Sequence, residues 1–249
     1  MRPKPKPKPK PKPKPKPRPG DANDPAQYQN QCDKIDSLQQ QQPIWNFPDF
    51  FQAKYVISID KDRYKRFCHR SGPWSNEIKF WEGSPPFPKQ EKNTVLNPGE
   101  IGCFHSHYRI WKDIVKNNYS NALILEDDVD LVYCKRQYNA LCKVATLLPT
   151  LSLDQWDLFY LYFRSYDNIP EPARSKFTEN TCGYVLTLQG AKKLLQAIPD
   201  DPYLYHQPID VLLYNLNEYN QLLCWRLPKR IAWQWSPIDK FKRHTLKSK

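Results

Sequence analysis

From residue 47 onward the apolar positions switch between two spacings. Residues 54–59, Lys54-Tyr-Val-Ile-Ser-Ile59, form a β-branched run that reads as a strand. Asp60 then caps a basic helix through Arg70. Residues 71–96 are rich in Pro, Gly and Trp and read as loop, with a short strand at 78–81. Asn97-Pro98-Gly99-Glu100 predicts a helix start: an Asn cap, proline at the first helical position, and Glu three residues on to close a capping box. Ile101, Phe104, Tyr108, Trp111 and Val115 continue as one apolar stripe, carrying that helix to about residue 116.

A strand at 122–125 follows, then a helix over 135–148, a buried-strand pattern at 156–163 and a polar loop over 164–180. The pattern closes with a strand at 182–188 and a helix at 190–198. A last helix (208–219) and strand (221–226) precede a basic, Trp-rich end. Strands alternating with helices predict an α/β fold with a mixed, mostly parallel sheet flanked by helices. In such sheets ligands sit at the carboxyl ends of the strands.

Charge divides the chain differently. Of the net +12, residues 1–20 hold +9 from seven Lys and two Arg with no acid, so the remainder is only mildly basic. Strict Pro-Lys alternation from Pro3 to Pro17 forbids helix and sheet ladders and predicts a disordered, extended arm. Such an arm is a spacer or a weak contact for an anionic partner, nucleic acid or a membrane surface. Residues 21–46, with a Gln run ending at Pro43, read as a linker, and 47–249 as the folded domain.

The seven cysteines are odd in number and form no C-x-x-C pair, which favours small buried thiols over a disulfide framework. No apolar run approaches the roughly twenty residues of a bilayer span, and the first residues do not form a signal peptide. The expectation is a cytoplasmic protein.

The chemistry concentrates at Leu123-Ile-Leu-Glu126-Asp127-Asp128-Val129, where a strand delivers three consecutive carboxylates, with Asp130 one residue beyond. So much negative charge at one strand end is costly unless a cation shares it, and hard oxygens suit Mg²⁺ or Mn²⁺ holding a diphosphate. A solvated acidic loop is the plain alternative. His105, Ser106 and His107 fall in the first turns of the helix beginning at Pro98. Gly102 and Ser106 are small enough there to admit a nucleotide or another backbone. His107 reads equally as a buried, hydrogen-bonded histidine.

Taken in order, these motifs resemble glycosyltransferase family 25. They are Tyr55-Val-Ile-Ser-Ile-Asp60 with Arg63 and Arg66, Gly99-Glu-Ile-Gly-Cys-Phe-His-Ser-His107, Ala122-Leu-Ile-Leu-Glu-Asp-Asp-Val129, Cys182-Gly-Tyr-Val-Leu-Thr-Leu188 and Pro208-Ile-Asp210. The family holds bacterial lipooligosaccharide galactosyltransferases and collagen galactosyltransferases. The resemblance covers about residues 52–238 and departs at Ser58, where the family's first strand usually carries Asn.

It implies a GT-A-type fold and an inverting, metal-dependent transfer of galactose or glucose from a UDP-sugar to a glycan or hydroxylysine-type acceptor. By the same resemblance Asp128 ligates the metal (Mn²⁺ or Mg²⁺), with Glu126 as further metal candidate. Glu126 and Asp127 would meet ribose hydroxyls or metal-bound water, and Ser106, His107, Arg63 and Arg66 would contact the donor. Asp210 would be the general base. Asp130 completes a literal D-x-D, and Trp233 and Trp235 are candidates for stacking on a sugar. The rival readings are a catalytically silent glycan- or nucleotide-binding module and a nucleic-acid-tethering protein acting through its arm.

Overall fold

A computed structural model of the chain describes residues 46–87, 96–129, 131, 135–151, 155–162, 172–176 and 180–226. The Pro-Lys arm, the linker through residue 45, Asp130, Trp233 and Trp235 lie outside them. The sheet begins with β1 (Ala53–Ser58), followed by α1 (Lys61–Ser71), a 3₁₀ turn (Gly72–Glu77) and β2 (Lys79–Glu82). Next come α2 (Pro98–Asn117), β3 (Asn121–Glu126), α3 (Lys135–Leu147), β4 (Leu158–Tyr160) and β5 (Ala173–Arg174). β6 (Gly183–Thr187), α4 (Leu188–Ala197), α5 (Ile209–Glu218) and β7 (Cys224–Arg226) complete the order.

The seven strands form one sheet in the order β2-β1-β3-β6-β4-β7-β5. β1 pairs in parallel with β2 and β3, and β4 with β7. β6 runs antiparallel between β3 and β4, and β5 antiparallel to β7. Five strands therefore share one direction, giving the mixed, mostly parallel sheet that the strand and helix alternation predicts.

Period-two alternation sorts the strand side chains between two cores. Tyr55, Ile57, Ile124, Tyr184 and Leu186 face α2, α4 and α5, where Ile101, Phe104, Trp111, Leu194 and Leu213 meet them. Val56, Leu123, Leu125, Phe159 and Val185 face the other side, packing with Phe67 of α1, Trp74, and Leu141 and Val144 of α3. The sheet is thus covered on both faces, as parallel strands require.

The helix starts follow their sequence signals. Asp60 Oδ1 accepts from the amides of Asp62 and Arg63 at 2.8 and 3.0 Å. Asn97 Oδ1 accepts from Gly99 and Glu100 at 2.9 and 3.0 Å, while Glu100 Oε2 accepts from the Asn97 amide at 2.8 Å. Glu100 is spent on its own helix.

The strand expected over 156–163 is only three residues long. At its start the amides of Asp157 and Leu158 both donate to the Leu223 carbonyl, and at its end those of Leu161 and Tyr162 both donate to Gly183. Two amides on one carbonyl interrupt the ladder at each end. β5 lies in the segment expected to be loop, held there by Arg174, whose guanidinium donates to Asn217 Oδ1 at 2.7 Å. Among the described residues no helix is long and apolar enough to cross a membrane.

Candidate active site

β3 ends at Glu126, and the chain turns at once. The Glu126 amide donates to the Cys182 carbonyl at 2.9 Å and the Asp127 amide to Ile57 at 3.0 Å, so neighbouring strands on both sides fix the turn. The Val129 amide closes it on the Glu126 carbonyl at 3.0 Å. From below, Arg70 in the last turn of α1, only 8% exposed, donates to the carbonyls of Asp127 and Val129 at 3.4 and 3.2 Å. The neighbouring Ser71 hydroxyl donates to Leu131 at 3.1 Å.

The three acids occupy different environments. Asp127 is 5% exposed; Ser58 Oγ donates to its Oδ2, and Arg63 pairs with its Oδ1. Burial pushes the Asp127 carboxyl above its ordinary range, against the lowering effects of Ser58 and Arg63. Glu126 Oε1 accepts from the Thr181 hydroxyl at 2.7 Å and faces His107 Nε2 at 3.2 Å. Burial acts to raise this carboxyl too, but the bonds from His107 and Thr181 and the charge of Arg63 outweigh it and hold it low. Asp128 lies 3.7 Å from the Arg63 guanidinium.

Facing these acids is the first half of α2. His107 is fully buried, and its Nδ1 lies 2.8 Å from the Tyr184 hydroxyl of β6. Trp111 Nε1 donates to that hydroxyl at 3.1 Å. Both His107 ring nitrogens thus face polar groups, Nδ1 the Tyr184 hydroxyl and Nε2 the Glu126 carboxylate. Burial holds the Tyr184 phenol firmly protonated. Ser106 Oγ donates to Gly102 at 2.6 Å and accepts from the Ser84 amide at 2.8 Å. A Cβ on Gly102 would stand 2.8 Å from the Pro85 carbonyl oxygen and 2.9 Å from that of Ser84. The close approach that these two small residues permit is therefore by the loop after β2.

A pocket of about 220 Å³ opens between these elements, lined by Arg63, Cys103, Ser106, His107, Glu126 and Asp127 among others. Cys103 opens onto it, and its thiol is pushed up by partial burial and then by the charges of Glu126, Asp128, Asp210 and Glu100. Each of these four carboxylates is thus near enough for its charge to act on the thiol. Asp210 sits in the first turn of α5, where Val211 donates to its Oδ1 at 3.0 Å. Arg66 does not line the pocket; its positive charge acts on Asp60. His105 turns away toward Ser84 Oγ at 2.8 Å and the Phe87 ring. Of the described cysteines Cys182 and Cys224 are buried as the sequence predicts, whereas Cys68 and Cys142 are half-buried and Cys103 is exposed at the pocket.

The donor set suits a hard divalent ion. Asp127 is bonded through both oxygens and Glu126 through Oε1, while Asp128 faces Arg63; all three supply hard oxygens of the kind Mg²⁺ or Mn²⁺ takes. Arg70, Tyr184, Trp111 and Cys103 were not singled out from the sequence as site residues. The first three act through contacts with distant elements, and Cys103 carries no local signal that sets it apart from the other thiols.

The acids thus stand at the carboxyl end of β3 beside a pocket, the place where ligands sit in open α/β sheets. Residues 47–213 match the profile of glycosyltransferase family 25 (LPS biosynthesis protein), and the chain belongs to that family. It is 38% identical to procollagen galactosyltransferase 1-A of Xenopus laevis over 140 residues, which are 52% of this chain and 22% of that protein. A glycosyltransferase 25 family member of Drosophila melanogaster is 34% identical over 166 residues, 62% of this chain and 26% of its own length. The chain thus spans about a quarter of these curated relatives. A glycosyltransferase involved in glycosylation of the major capsid of PBCV-1 aligns at 12% identity with a TM-score of 0.32, covering 66% of this chain and 65% of its own.

Proposed function

We propose that the chain is an inverting, metal-dependent glycosyltransferase that moves galactose or glucose from a UDP-sugar to a glycan or hydroxylysine-type acceptor. The observation that carries this is the Glu126–Asp128 turn at the carboxyl end of β3, facing a pocket, in a member of family 25. The galactosyltransferase names of several relatives support the sugar.

Asp128 and Glu126 hold the metal, Mn²⁺ or Mg²⁺, which when bound offsets the charge that grows on the departing diphosphate. Arg63, already paired with Asp127, presents a second positive group at the same end of the pocket. His107 and Thr181 keep Glu126 ionised and aimed. Asp127, locked by Ser58 and Arg63, orients the turn and meets the donor's ribose side. Asp210 takes the proton of the acceptor hydroxyl as that oxygen attacks the anomeric carbon and the bond to UDP breaks. Ser106 and His107 line the donor wall, and Arg66 stands further out on α1.

Free thiols at Cys68, Cys103, Cys142, Cys182 and Cys224 support action in a reducing compartment, the cytoplasm. The Pro-Lys arm acts as a tether or as a weak cationic contact for an anionic partner.

The decisive assay is UDP-sugar hydrolysis and transfer with Mn²⁺ over a panel of donors. Wild type should turn over UDP-galactose or UDP-glucose, and Asp128→Ala should lose at least about a hundredfold. No turnover of any donor, with retained nucleotide binding, would make the chain a silent binding module. Removal of residues 1–20 should leave donor hydrolysis unchanged.

A further inference from the structure

Cys103 and His107 are one helical turn apart on α2, and Glu126 ends β3 opposite them. One ligand atom from each, the Cys103 sulfur, a His107 ring nitrogen and a Glu126 oxygen, lies within 4.8 Å of the other two. We propose that these three side chains form a binding site for a borderline-soft divalent ion, Zn²⁺ above all, which shares Glu126 with the hard-oxygen site at Asp128 but differs from it in its sulfur and nitrogen ligands.

The spacing carries the proposal. Ligand atoms at about 2.0–2.2 Å from zinc in a tetrahedral set stand roughly 3.3 Å from one another. His107 Nε2 and Glu126 Oε1 are 3.2 Å apart. An ion seated between them replaces the single proton of that hydrogen bond with little movement of either side chain. Cys103 comes from the same helix face as His107 and closes the third position by a turn of its side chain. All three residues line the pocket, so an ion held by them would have room beside it for water or a ligand.

The supporting shell is already in place. Tyr184 holds the other ring nitrogen of His107 at 2.8 Å, which fixes the ring plane and directs Nε2 at Glu126. Trp111 in turn fixes the Tyr184 hydroxyl. Sulfur and imidazole select zinc over manganese or magnesium, so the two kinds of ion are separable by ligand.

The inference holds whether or not the chain transfers sugar, and its test does not use activity. The metal-free full chain is titrated with Co²⁺, as a spectroscopic stand-in, and then with Zn²⁺. Expected are a thiolate-to-cobalt charge-transfer absorption and intense tetrahedral visible bands, both removed by one equivalent of Zn²⁺. Cys103→Ser, which keeps the other six cysteines, should abolish the thiolate absorption and weaken Zn²⁺ about tenfold or more, leaving Mn²⁺ binding unchanged. A thiolate band that survives in Cys103→Ser overturns the proposal. A second measurement needs no variant: one equivalent of Zn²⁺, but not of Mn²⁺, should slow iodoacetamide alkylation of Cys103, followed by mass spectrometry. Equal alkylation with and without Zn²⁺ overturns it as well.

Discussion

Arg70 donates to the carbonyl of Val129 at 3.2 Å across a separation of 59 residues, and so holds the far side of the turn that presents the three acids. The same guanidinium reaches the Asp127 carbonyl. A residue that never enters the pocket therefore sets the backbone from which the pocket's carboxylates project. Arg70→Ala should strand buried carbonyls and destabilise the fold by about 1–3 kcal/mol, and Arg70→Lys should recover only part of it. Denaturant midpoints for the three proteins check this, and an unchanged midpoint for Arg70→Ala removes the clamp.

Tyr184→Phe keeps the ring in the core but deletes the hydroxyl that Trp111 and His107 share. Two buried polar atoms lose their partner at once, with an expected loss of about 1–3 kcal/mol. The released imidazole should also support Glu126 less well, so the Glu126 carboxyl should titrate higher than in wild type. A variant that is less stable with Glu126 unmoved would make the tyrosine a packing residue only.

Gly102→Ala distinguishes the two uses that small residues on α2 could have. The added methyl meets two backbone oxygens at 2.8–2.9 Å, and backbone yields less readily than a side chain. The substitution should cost about 1–3 kcal/mol in the absence of any ligand. Stability equal to wild type, with nucleotide affinity lost, would place the close approach with the donor.

The adjacent carboxyls Glu126 and Asp127 should titrate on opposite sides of their ordinary values of 4.5 and 3.8 in the metal-free protein. Glu126 is lowered by folding, so its stabilisation is present above its unfolded value and is lost as pH falls through the folded one. Asp127 is raised, so its contribution is fully present below its unfolded value and fades as pH rises through the folded one. Carboxyl carbon shifts of the two side chains followed against pH give both values directly. Coincident titration would contradict the split.

The sheet was legible because its signals are local. The alternation of Tyr55, Val56 and Ile57 between faces, the Asn97–Glu100 capping box and the α2 stripe each lie within one element, where spacing is structure. The acids of β3 were legible for the same reason. What completes the site is not local. Ser58 meets Asp127 across 69 residues, and His107 meets Tyr184 across 77. Periodicity says which face of its own element a residue occupies, but not which residue of a distant strand stands opposite. Cys103 shows this most clearly: its spacing from His107 was visible, while the nearness of Glu126 depends on how α2 lies over the end of β3. The shortness of β4 has the same origin, since paired amides on Leu223 and Gly183 belong to partners far along the chain.

The antiparallel placement of β6 gives the acid turn a history during synthesis. Glu126 leaves the ribosome long before Thr181, Cys182 and Tyr184, yet its amide, its carboxylate and its histidine partner are each secured by one of these three. A nascent chain ending at residue 180 would carry all three acids of the turn, with the partners of Asp127 already made but those that secure Glu126 still missing. Competence to hold a cation would then arrive late and abruptly, when one strand of five residues slots between its neighbours, so that ligand capture doubles as a report that the sheet has closed.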